Sequence, residues 1–237
     1  MSECYLRNRL NRFLSKKSAL IITLVLIVFF VGSQEAFADI TYGTGNYSGY
    51  YGNSGVITIA AGAVITLTGS VIFAAGSSFI MDSGSSIVCG SNYPLTITSG
   101  GASTLRTITL GAGGGIFLGR ASAAPTYTTN NTITCGGALT VNAGGFPLNL
   151  NNDLNCGGIS INSGSSVTVT GSPTITVNGN WTNMGGTFNA GSSTVIFNST
   201  ITGRTIRTNN SAFSTLTING SGGYWTLNTN NLTAATL

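Results

Sequence analysis

Between residues 57 and 97 an apolar side chain returns every seven or eight positions: Ile57, Ile65, Ile72, Ile80, Ile87 and Leu95. Gly, Ser, Ala and Thr fill the gaps, as in Thr68-Gly69-Ser70 and Ser83-Gly84-Ser85-Ser86. Three intervals make a repeat of about 22–23 residues, one coil of a three-faced parallel β-solenoid, since fixed periods of this size mark stacked repeats. At finer grain Ile57-Thr58-Ile59, Ile65-Thr66-Leu67, Ile159-Ser160-Ile161, Val167-Thr168-Val169 and Ile175-Thr176-Val177 alternate apolar and polar. Period two means a strand with one buried face. Such short runs, bounded by Gly, Ser or Asn, suit a coil with tight corners. Hairpins would need Asn-Gly or Asp-Gly turns between paired runs, and these are mostly missing. The expected fold is therefore an all-β solenoid.

Three segments depart from the beat. Residues 39–55 are rich in Gly and Tyr (Tyr42, Tyr47, Tyr50, Tyr51) and read as an N-terminal cap over an exposed strand edge. Residues 111–131, with Gly113-Gly114-Gly115 and Pro125, read as a loop bulging from one coil. Loops on a rigid scaffold often carry function, so Arg120 and Tyr127 are the binding candidates there. Residues 132–237 resume the rhythm less strictly, with Trp181 and Trp225 separated by 44 positions, or two coils. Leu237 lies in repeat-like sequence without a polar terminal coil, so the solenoid of 56–237 is expected to continue or to stack on another copy.

Residues 1–38 carry an export signal rather than fold. Arg7, Arg9, Arg12, Lys16 and Lys17 precede the apolar run 19–31, and Ala36-Phe37-Ala38 is a small-x-small cleavage site that leaves Asp39 as the mature start. The apolar run is short of the roughly 20 residues a spanning helix needs. Membrane contact is expected only through this segment before cleavage, and the mature chain is expected to be secreted or held at the cell surface.

Cleavage changes the charge balance. Arg106, Arg120, Arg204 and Arg207 remain against Asp39, Asp82 and Asp153, a net of +1. No clustered basic footprint is left for nucleic acid. Thr, Gly, Ser and Asn dominate the mature chain, whereas Lys, Glu and His are missing from it. Thr is β-branched for a strand and hydroxylated for a wet face, and Gly and Asn suit corners.

The same composition argues against catalysis. Asp82 and Asp153 lie about three coils apart in sequence. That puts them on the order of 14 Å apart along the axis, beyond the roughly 5–9.5 Å of a glycosidase pair. Asp82 and Arg106, about one coil apart, read as a structural ion pair. No acid–base side chains of the His, Lys or Glu type remain, and no cofactor or metal site is expected. Thr-x-Thr units begin at Thr66, Thr96, Thr107, Thr132, Thr168 and Thr174. Their gaps of 30, 11, 25, 36 and 6 do not keep one unit per coil, which counts against an ice-binding array.

Cys89, Cys135 and Cys156 each precede Gly and follow an apolar residue by two, at separations of 46 and 21. They are expected in one inward column, with Cys135 and Cys156 on adjacent coils. Two readings stay open: stacked buried thiols acting as small hydrophobes, or a Cys135–Cys156 bridge permitted by export.

The segment Gly179-Asn180-Trp181-Thr182-Asn183-Met184-Gly185-Gly186-Thr187-Phe188-Asn189-Ala190-Gly191-Ser192-Ser193-Thr194-Val195-Ile196-Phe197-Asn198 and the later Phe213-Ser214-Thr215-Leu216-Thr217-Ile218-Asn219 carry a resemblance. They resemble modules repeated in very large exported bacterial surface proteins with right-handed parallel β-helix folds. The similarity is clearest over about 179–232 and compositional before it. It implies a single-stranded right-handed parallel β-helix and an adhesin-like or matrix role at the cell surface, and it brings no catalytic residues. Partners implied are other copies, other surface proteins or surface glycans. No translocator or sorting segment is recognised in this sequence, which leaves anchoring open. Carbohydrate binding or cleavage is the alternative reading, and ice binding the second alternative.

Overall fold

The structure is a computed structural model that describes residues 39–121, 123–228 and 231–237. The proposed signal segment, with Ala36 and Ala38, lies outside the described residues. Asp39–Leu237 is all-β, a stack of parallel strands winding through about nine turns. Each turn visits three faces. The first face is an eight-stranded sheet running from Ile40–Tyr42 through Ile57–Ile59, Phe79–Met81 and Ala102–Leu105 to Thr187–Asn189. The second and third faces form one continuous sheet, because Gly45–Asn53, Val64–Ala75, Ile133–Val141 and Leu154–Asn162 run round the corner between them.

Register fixes the coil length. On the second face Ile65 pairs with Ile87, Ile87 with Ile108, Ile133 with Leu154 and Leu154 with Ile175. These partners are 21 or 22 positions apart. The extremes are 17, from Ile40 to Ile57, and 25, from Ile108 to Ile133. The coil is thus slightly shorter and less constant than the three-beat sum read from the sequence. Corners absorb the difference, because the strands must stay in register while the turns between them need not.

Inward side chains build one dry column. Ile57, Ile65, Ile87, Leu95, Ile97, Ile108, Leu118, Leu150, Ile161, Ile175 and Val195 are all essentially sealed from solvent. Each contributes about 1.5–3 kcal/mol relative to exposure. Two members of the sequence beat do not join them. Ile72 is 38% exposed, while Val71 and Phe73 on either side are buried. Ile80 likewise faces out between buried Phe79 and Met81. Alternation restarts after every corner, so a fixed spacing of seven or eight loses phase, and a slip of one residue reverses the face.

The segment expected to cap the stack, residues 39–55, is itself built of strands: Ile40–Tyr42 and Gly45–Asn53 pair in register with the coil that follows. The tyrosines are the covering element. Tyr42, Tyr47 and Tyr51 turn inward, pack edge to face at 5.5–5.7 Å and meet Phe73, closing this end of the column with broad rings. The loop expected over residues 111–131 is corrected, because the segment is not one bulge. They contain the strands Ile116–Arg120 and Thr126–Thr129, paired to Leu95–Ser99 and Ala102–Leu105. Gly111, Gly113, Gly114, Gly115 and Pro125 lie outside these strands, and the inward Ile116, Leu118 and Tyr127 restore the alternation.

At the corner leaving the second face, Gly90, Gly111, Gly136, Gly157 and Gly179 lie one above another. A Cβ on Gly111, Gly136, Gly157 or Gly179 would run into the carbonyl oxygen of the glycine one coil earlier. The side-chain-free corner lets successive coils close to strand spacing. Gly62 and Gly84 serve differently: each has positive φ at the third position of a turn closed by Ala63 N–H to Ala60 O and Ser85 N–H to Asp82 O. That is the position of a type II turn that requires glycine. Gly157→Ala should lower unfolding stability by about 1–3 kcal/mol through overpacking. Gly43→Ala, with open space at its Cβ, should stay within about 0.5 kcal/mol. Paired denaturant titrations read the difference.

Candidate functional site

The outward second face carries a periodic side-chain array along the stack. Its register runs Asn46, Thr66, Val88, Thr109, Thr134, Asn155, Thr176, Ile196, Thr217, one residue per coil. Two positions earlier in each strand a second ladder contains Ser86 paired with Thr107, and Thr174 paired with Thr194 and then Thr215. The two ladders place Thr107/Thr109, Thr174/Thr176 and Thr215/Thr217 on a common grid. Its spacings are about 4.8 Å between coils and about 6.6 Å along the strand. A Thr-x-Thr unit therefore stands on some coils of this face and not on every one, since Val88, Asn155 and Ile196 interrupt the first ladder. The six units taken from the sequence belong to three faces: Thr96 to the third, Thr168 to the first, the rest to the second. Gaps measured across faces carry no register. The missed signal is the corner that follows each unit: Leu110-Gly111, Val177-Asn178-Gly179 and Ile218-Asn219-Gly220 align the three units, including the overlooked Thr215.

Polar groups elsewhere on this surface are tied to the backbone. Asp153 Oδ1 accepts the N–H of Thr174 at 2.8 Å, and Asp39 Oδ1 accepts the N–H of Val56 at 2.9 Å. Thr44 Oγ1 and Asn180 Oδ1 do the same for Val64 and Thr205. Each acceptor precedes a strand and holds the start of the strand one coil later. The Arg106 guanidinium, expected beside Asp82, instead donates from Nε to the carbonyl of Met81 at 2.8 Å. Among the described residues no three of His, Cys, Asp or Glu gather as metal ligands would.

The two binding candidates separate. Arg120 is exposed and its Nη1 donates to Gly144 O at 2.9 Å, clamping the next corner. Tyr127 is fully buried, packs against Phe146 and donates its hydroxyl to Gly119 O at 2.6 Å. It is an inward strand residue, so it cannot meet a ligand. Among the described residues the exposed tyrosines are Tyr50 and Tyr224, near opposite ends of the described chain, and they do not form the grouped platform that sugar rings would use.

The thiols share one inward column. Cys89 pairs with Leu110, Leu110 with Cys135, Cys135 with Cys156 and Cys156 with Val177. All three are buried and free. Burial pushes the Cys135 thiol up to about 12, and raises Cys156 well above the ordinary value, with Cys135 adding to it. Tyr127 is raised for the same reason, desolvation.

No family model, curated protein or solved structure matches the chain.

Buried neutral acids give a signed pH dependence. Above the ordinary thiol value of 9 the unfolded state loses protons that folded Cys135 retains up to about 12, so the folded state binds more protons and stability falls as pH rises. The contribution is complete below pH 9 and declines through the window from 9 to 12. Reduced protein should show a denaturation midpoint that drops across this window, and Cys135→Val should flatten the slope.

Proposed function

We propose that the chain is an exported, non-enzymatic β-solenoid with a structural or adhesive role at a bacterial cell surface or in an extracellular matrix. The observation that carries the reading is the economy of its polar side chains. Asp39, Asp153, Arg106 and Arg120 all bond to main-chain groups that hold coil to coil, and the outward strands offer Thr, Ser and Asn. Such a surface serves extended contact better than a localised reaction. The composition of the export segment and the resemblance of 179–232 to surface-protein modules support the location. Backbone bonding between coils makes a stiff element of roughly 40 Å for about nine turns, which would hold contact surfaces away from a cell. Partners in this reading are other copies, other surface proteins or surface glycans. Protease treatment of intact cells producing an epitope-tagged chain should remove the tag signal and reduce cell attachment. A signal that survives shaving and fractionates with the cytoplasm would sink the proposal.

The threonines that share register on the second face favour a second reading, in which that face orders water and adsorbs to ice. Each threonine offers a hydroxyl and a methyl on a grid held by the backbone. Thr134→Lys with Thr176→Lys should abolish partition of the protein into growing ice, while Thr128→Lys with Thr168→Lys on the first face should not. Equal exclusion of wild type and both variants from ice would dismiss this reading.

A further inference from the structure

We infer that Cys135 and Cys156 join as a disulfide when the chain folds under oxidising conditions, stapling one coil to the next and leaving Cys89 reduced. The two residues are direct partners in parallel strands. Parallel pairing sets their Cα atoms about 4.8 Å apart, inside the range of about 4.4–6.8 Å that a disulfide spans. Both side chains enter the same dry column, and ionisation of Cys135 acts directly on Cys156.

The same register excludes the third thiol. Leu110, 2% exposed, lies between Cys89 and Cys135 in the column. Two coils put Cys89 on the order of 10 Å from Cys135, past the roughly 7 Å beyond which bridging needs backbone movement. The pairing is a property of the fold and does not rest on the surface role proposed above.

Both sulfurs are sealed once the coils have closed, so the bond is made while the later coil is settling on the earlier one. With glutathione disulfide as oxidant, one cysteine thiolate attacks a glutathione sulfur and displaces a glutathione thiolate, giving a mixed disulfide. The second cysteine thiolate then attacks the protein-bound sulfur and displaces the remaining glutathione. Two thiols lose two protons and two electrons, and one glutathione disulfide becomes two glutathione molecules.

The arginines make the test direct. Trypsin cleavage after Arg120 and Arg204 releases one peptide containing both Cys135 and Cys156, while Cys89 leaves in the peptide ending at Arg106. The full chain is refolded in a glutathione and glutathione disulfide couple, unfolded, alkylated without reduction and digested. The expected 121–204 peptide is unalkylated and two hydrogens lighter than its reduced form, with Cys89 alkylated. Cys156→Val, which repeats the side chain found at Val177 in this column, should return one alkyl group to that peptide. Two alkyl groups on wild-type 121–204, or a covalent link to the Cys89 peptide, would overturn the inference. The wild-type digest decides the pairing even where the variant folds poorly.

Discussion

Each coil is held to the next by main-chain N–H···O=C bonds directed along the stack, and these bonds fix the distance between coils at the spacing of paired strands. Everything else in the molecule accommodates that distance. Inward side chains must stack on their counterparts one turn away, so isoleucine meets isoleucine in Ile65, Ile87 and Ile108. Corners must let backbones approach as closely as strands do, hence the pile of glycines from Gly90 to Gly179. Side-chain acceptors ahead of strands continue the same bonding where the ladder pauses. Asp39, Thr44, Asp153 and Asn180 each take an N–H of the neighbouring turn. A buried polar group left without such a partner would cost about 1–3 kcal/mol.

This constraint explains why a chain so rich in small polar residues folds at all. Disorder follows when too little apolar surface can be buried to offset conformational entropy. Here most strands are short and donate one or two side chains to a shared column, while those that run round a corner, such as Val64–Ala75, donate more. Local sequence is weakly apolar, but the stack is not. Contributions from adjacent turns are what stabilise any one of them, as in other one-dimensional repeat folds.

Much of this architecture is legible in the sequence. Period-two runs such as Ile57-Thr58-Ile59 and the three-beat recurrence define strands, coils and faces, and the Cys-Gly pairs locate a column that the registers reproduce. What is illegible has a common cause. Corners vary in length, so phase cannot be carried across them by counting, and counting puts Ile72 and Ile80 on the wrong side. Tyr127 reads as a loop residue because Gly and Pro cluster near it, yet those residues are corners around two short strands. The threonine ladders are hidden when units from different faces are mixed. Only the registry of the paired strands separates them.

Two of the aromatic clusters stand near opposite ends of the described stack. Tyr42, Tyr47 and Tyr51 gather beneath the first turn, whereas both tryptophans, Trp181 and Trp225, belong to the last few, in a cluster with Phe188, Phe197 and Phe213. Indole emission therefore reports from one extremity alone, and circular dichroism of the backbone reports from all of it. In a fold whose turns contact only their neighbours, loss of the indole signal ahead of the backbone signal would mark fraying that starts at that extremity. The molecule thus carries a built-in optical gauge of the direction in which it unwinds.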